Sequence, residues 1–194
     1  MKYAWLVGLL GLLVTDFASA AWQLDSEHSH LHFISTKNAQ IAEVHTFKTV
    51  SGMIDAQGQA QVVIDLTSVD TNIATRDQRL RDMLFETKRF SVAKITSAID
   101  LPTLQGLNTG EFIDVPLSAQ LNLHGVQQKI TATVRVVKLS QNRLSVTSLK
   151  PLLVVPSVFG LESGLNALRE VAKLLSIANS VPVTLDWVFV YHPD

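Results

Sequence analysis

Three histidines, His28, His30 and His32, recur at every second position, a spacing that on a strand puts all three on one face. Such a ladder could bind zinc or copper. Leu31 and Phe33 occupy the opposite face and claim the interior, so the histidines face solvent, with no obvious carboxylate to orient them. A metal-binding or metal-dependent hydrolytic enzyme built on this ladder is the alternative reading, and no metal ligand is assigned. His124, beside Gly125, reads as a residue that hydrogen-bonds a hairpin turn, while His45 and His192 show no partner in sequence.

The second chemically suggestive group is cationic. Arg76, Arg79, Arg81, Lys88 and Arg89 face only Asp77, Asp82 and Glu86, a local balance of +2 in a chain whose net charge is -1. A solvated helix face laced with pairs such as Asp77 to Arg81 accounts for it. The functional reading is that Arg76 or Arg79 guards a pocket mouth and meets an anionic head group, because apolar Leu80, Leu84 and Phe85 lie beside them. Elsewhere the signatures of catalysis are missing: no G-x-S-x-G elbow, no phosphate-cradling glycine loop and no cysteine. The expectation is a protein that is not an enzyme and needs no cofactor.

The elements that must position these residues are mostly strands. Trp22 to Asp25 and the Leu31, Phe33 run open the chain, and Val44, Phe47, Val50 and Ile54 follow less regularly. Val62, Ile64 and Leu66 alternate after a turn at 56–59, predicting a hairpin. Thr75 and Gln78 form a capping-box pattern that predicts a helix of about two turns carrying Leu80, Met83 and Leu84. Ile95, Ile99 and Leu101 mark the next strand, and Pro102, Gly106 and Gly110 a loop of about ten residues. Residues 111–138 alternate most regularly and predict a hairpin of two long strands, with a further strand over 144–155. A helix over 162–177 carries a core-facing stripe of Leu161, Leu165, Leu168, Ala172 and Leu175 before a closing strand. Roughly eight one-sided strands and two short helices favour an all-β antiparallel barrel or sandwich, and a barrel leaves no exposed edges. Such an interior is either filled by side chains or holds one small ligand.

Composition narrows the setting. Lys2, the apolar run Ala4 to Val14 and Ala18-Ser19-Ala20 make residues 1–20 a signal peptide, so the mature domain is residues 21–194, periplasmic or secreted. The apolar run is too short for a stable membrane span. A net charge of -1 argues against nucleic acid as a partner. Without cysteine, stability must come from the hydrophobic core.

Several runs together resemble the YceI-like family, exported lipocalin-like proteins associated with polyisoprenoid binding. They are Trp22-Gln23-Leu24-Asp25, Leu31-His32-Phe33, Phe47 with Ser51-Gly52, and Asp65-Leu66-Thr67-Ser68-Val69. Arg76-Asp77, Leu80-Arg81, Phe85-Glu86 with Lys88-Arg89-Phe90, and Leu121-Asn122-Leu123-His124-Gly125-Val126 continue the match. Ser91 departs from the family's usual proline, His30 and His32 are additional, and the 162–177 helix belongs to only part of the family. The resemblance implies an eight-stranded antiparallel lipocalin-like β-barrel with an elongated apolar pocket. The expected ligand is a long-chain isoprenoid or other lipid, and a homodimer is compatible with that. Expected lining residues are Phe33, Phe47, Leu80, Leu84, Phe85 and Phe90, with Leu121 and Phe159, and Arg76 and Arg79 at the head-group end.

Overall fold

The computed structural model describes residues 20–193, so the leader expected over residues 1–20 lies outside it except for Ala20. Twelve strand segments form one antiparallel sheet. The first five are β1 (Ala20–Leu24), β2 (His30–Lys37), β3 (Ile41–Phe47), β4 (Val50–Asp55) and β5 (Gln59–Asp65). After them come β6 (Val69–Asp70) and, beyond a helical stretch, β7 (Val92–Ala98), β8 (Phe112–Leu123) and β9 (Val126–Ser140). The last are β10 (Arg143–Ser148), β11 (Leu152–Val154) and β12 (Val181–Tyr191).

These segments make a closed barrel of eight staves, because the ring β1-β4-β5-β7-β8-β9-β10-β12 returns to β1 through Trp22 opposite Tyr191 and Leu24 opposite Phe189. Several staves are broken lengthwise. β2 continues the line of β1 along β12, pairing at Phe33 to Val183, and β3 likewise continues β4. The break at Lys48–Thr49 moves the inward positions from Glu43, His45 and Phe47 to Val50 and Ile54, which is why the 41–54 stretch reads as irregular in sequence. Val44 consequently points outward and is exposed.

One end of the barrel is filled. Trp22, Ile54, Val134, Leu144, Trp187 and Phe189 are all buried there, and Lys138 lays its ammonium 5.1 Å from the Trp22 ring centre. A helix not expected from the sequence, α2 (Leu101–Gln105), follows β7 and buries Leu101 and Leu104. Asp100 caps it by accepting from the Thr103 backbone N–H, and Pro102 stands in its first turn, so the residues read as a ten-residue loop in fact hold a capped turn of helix.

The opposite end is hollow and is covered by helices. α1 (Ala74–Arg79) runs directly into a π-turn over Leu80–Leu84, in which the Phe85 N–H reaches Leu80 O at 2.9 Å. The capping box does not form: Ile73 occupies the N-cap position without a side-chain bond, and Gln78 turns to Asp82. The third helix, α3 (Glu162–Val171), ends six residues earlier than its apolar periodicity suggests. Lys173 takes a φ of 53°, the chain turns back toward β2, and Leu175 leaves the stripe to stand 87 % exposed. Gly164 lets α3 approach the π-turn, because a Cβ there would lie 2.5 Å from Met83 O and 2.9 Å from Leu84 Cα. Among the described residues no helix is long and apolar enough to cross a membrane.

Candidate functional site: a barrel cavity with a charged mouth

The hollow end encloses a cavity of about 440 Å³, within the roughly 300–1,000 Å³ typical of small-molecule sites. Its walls come from the inward positions of β2, β3, β5, β7, β8, β9, β11 and β12, and its cover from α1, the π-turn and α3. The π-turn matters here because one widened turn brings Leu80, Leu84 and Phe85 to the same interior.

Chemistry grades along β2 and β3. Deepest on this wall is an aromatic group, with Phe33 and Phe47 stacked at 5.2 Å between ring centres and Phe85 tilted against Phe47 at 5.7 Å. Next comes His45, opposite Phe33, whose Nε2 shares a 2.8 Å hydrogen bond with Ser35 Oγ. His45 is buried at 4 % exposure and its Nδ1 has no partner, and that desolvation pushes its pKa below the usual histidine value. At the mouth Glu43 is held between Lys37 and Arg76, which keep its carboxyl below the ordinary glutamate range, the Lys37 hydrogen bond contributing most.

The structure separates the two arginines singled out from sequence. Arg76 donates from Nε to Thr71 Oγ1 (2.8 Å), from Nη2 to Thr71 O (2.7 Å) and from Nη1 to Glu43 Oε2 (2.8 Å). Its neighbour Asp77 is buried and accepts from the Thr71 backbone N–H at 2.9 Å, rather than pairing with Arg81. The Arg76-Asp77 pair therefore staples α1 to the Thr71 turn and to β3. Arg79 also lines the cavity, is exposed, and among the described residues makes no ion pair or side-chain hydrogen bond.

Of the other expected lining residues, Phe33, Phe47, Leu80, Leu84, Phe85 and Leu121 stand on the cavity wall. Phe90 does not. It packs on the β8–β9 turn, 4.4 Å from the His124 ring, and fills the space a Cβ on Gly125 would need. Phe159 is buried in the core but is not part of the wall. His124 serves its turn by this stacking rather than by a hydrogen bond, its Nε2 standing 3.5 Å from Glu86 Oε1, too long for a well-formed one. Sequence reasoning named no lining residue from α3 and the chain after it, where Leu165, Leu168, Leu174 and Ile177 all face the cavity. The four-three spacing of the α3 stripe was the signal, but it does not tell a helix that packs a core from one that walls a void.

The histidine ladder is incomplete. His30 and His32 lie exposed on β2 with rings 6.1 Å apart, whereas His28 precedes the strand and turns its Nδ1 to Asp25 Oδ2 at 2.9 Å. Among the described residues no group of three or more His, Cys, Asp or Glu side chains is placed to hold a metal ion.

A YceI-like domain model matches residues 22–189, which is the whole barrel from β1 nearly to the end of β12. The chain belongs to the YceI-like family. Among curated proteins none matches it significantly. Among solved structures it is similar to a polyisoprenoid-binding domain from Saccharophagus degradans implicated in plant cell wall breakdown. That match has 41 % identity and a TM-score of 0.88, covering 90 % of this chain and 100 % of that one. It shares its fold with BcnA of Burkholderia cenocepacia (20 % identity, TM-score 0.65, 85 % of this chain and 98 % of that one). A Campylobacter jejuni YceI protein matches at 17 % identity and TM-score 0.55, over 77 % of this chain and 85 % of that one.

Proposed function

We propose that this YceI-like protein is an exported, non-catalytic carrier or store for a long apolar ligand, a polyisoprenoid or similar amphiphile, held in the barrel cavity. The observation that carries the reading is the cavity wall itself, apolar on nearly every side and graded toward charge only at Lys37, Arg76 and Arg79. Such a gradient suits a molecule with a hydrocarbon body and one polar end. The Saccharophagus domain, named for polyisoprenoid binding, supports the ligand class. Residues 1–20, with their apolar run and Ala18-Ser19-Ala20 site, support export.

Lipid extraction and mass spectrometry of protein purified from its native host test this, run beside metal analysis of the same sample. A stoichiometric long-chain lipid is the expected result. A stoichiometric metal with no lipid would overturn it in favour of the histidine-based alternative.

A further inference from the structure

The elements around the cavity mouth form a closed circuit. Arg76 of α1 bonds Glu43 of β3, Glu43 pairs with Lys37 of β2, and Lys37 bridges to Ile177 in the chain after α3. α3 then returns to the π-turn through the close approach at Gly164. The tip of the β2–β3 hairpin is knit to the same chain by Asn38, whose N–H donates to Ser176 O at 2.9 Å while its Oδ1 accepts from the Leu175 N–H at 2.9 Å.

Outside this circuit stand apolar side chains that nothing in the fold covers. Leu175 is 87 % exposed, more than any other large apolar side chain among the described residues, and Ile41 and Val171 are about half exposed. The circuit is also cationic. Residues 37–43, 74–79 and 169–178 carry Lys37, Arg76, Arg79, Arg169 and Lys173 against Glu43, Glu170 and the buried Asp77, in a chain whose net charge is -1.

We propose that this rim docks on an anionic bilayer surface, with Ile41 and Leu175 entering the interface and the cations meeting lipid phosphates, so that ligand passes between membrane and cavity without crossing water. The inference rests on the lipid-binding reading of the cavity. Each methylene that crosses water costs roughly a factor of four in population, so a long chain released into solvent moves too slowly for a carrier. A mouth whose rim is both apolar and positive matches the two attractions that hold peripheral proteins on membranes. It favours a lipid surface over a protein partner because the exposed side chains are aliphatic and set among cations, without the aromatic anchors of protein hot spots.

The test uses the mature domain, residues 21–194, which keeps the ring of strands and omits the apolar leader that would itself bind bilayers. Flotation with phosphatidylcholine vesicles, with and without phosphatidylglycerol, should show binding only to the anionic vesicles and its loss at high salt. The double variant Ile41→Gln, Leu175→Gln should lower the partition coefficient about tenfold. Lys173→Gln should lower it about fivefold. The double variant should also slow extraction of a radiolabelled polyprenol from vesicles, yet bind the same polyprenol normally when it is offered from detergent micelles. Wild-type protein that takes polyprenol from micelles but ignores vesicles would overturn the docking and leave the cavity reading intact. Vesicle binding without polyprenol uptake from either source would sink the cavity reading instead. A dimer in sedimentation equilibrium that the double variant dissociates, without vesicle binding, would reassign the rim to a contact between copies and overturn the proposal.

Discussion

Ser35 Oγ holds His45 Nε2 at 2.8 Å, which leaves Nδ1 of the same buried ring as an unpaired polar atom in an otherwise apolar wall. Burial lowers the His45 pKa from the ordinary 6.5, so the unfolded chain takes up a proton at a pH where the folded protein resists it. The contribution to stability is complete above the unfolded value and falls as pH drops through 6.5 toward the lowered folded value. Thermal melts between neutral pH and about pH 5 should show a falling midpoint, with a slope no steeper than about 1.4 kcal/mol per pH unit for one proton. His45→Gln should flatten that slope. An unchanged slope in the variant would assign the acid sensitivity to other groups.

Filling the cavity should exclude ligand without unfolding the barrel. Leu168→Trp on α3 adds bulk facing the void, and should weaken polyprenol binding at least tenfold while far-UV circular dichroism stays native. For the unaltered protein affinity should rise with chain length, since about fifteen carbons contribute roughly 12 kcal/mol gross, about half or more of it offset by lost freedom. A length series with flat affinity would argue against an extended apolar site.

Arg76 and Arg79, three positions apart on α1, should behave oppositely. Arg76→Gln removes charge-assisted bonds to Thr71 and Glu43 and should lower stability by about 2–4 kcal/mol, seen as an earlier denaturation midpoint. Arg79→Gln should leave the midpoint nearly unchanged and selectively weaken a polyprenyl diphosphate relative to the uncharged polyprenol. The loss should fall between about 1 kcal/mol in water and about 4 at an effective dielectric near 20. Equal losses for both ligands would place Arg79 with the scaffold.

Gly164→Ala is the smallest change that should disturb the cover. The new methyl would strike Met83 O and Leu84 Cα, which are backbone atoms that cannot swing aside, so α3 or the π-turn must shift. A loss of about 1–3 kcal/mol is expected. Hydrogen exchange should rise over both segments and not over β8 and β9.

The barrel was legible because its long strands alternate, without interruption from Val115 to Leu123 and over Val183 to Trp187, where every inward residue is apolar. Six expected apolar lining residues reached the cavity for the same reason: inward on a strand, or on one face of a short helix, is a local property. What failed was set by tertiary contact. Phe90 and Phe159 are as apolar as Phe33, and only the docking of the His124 turn and the packing of the core decide that they miss the cavity. The division of labour between Arg76 and Arg79 was hidden because it depends on Thr71 and Glu43, the latter thirty-three positions away in the chain. The short α2 could have been found, since Asp100 followed by Pro102 is a capped helix start, but two strand-like isoleucines before it masked the change of period.

The seam between β1 and β12 also gives the molecule a front and a back. β12 meets the cavity at Val181, Val183 and Leu185 and meets the first strand at Phe189 to Tyr191, roughly seven residues or about 23 Å further along between the middles of the two stretches. Anything that grips the protein near Trp22 or Tyr191, whether a fused domain, a tether or an affinity surface, therefore holds it by the filled end and leaves the mouth free to face away from the attachment.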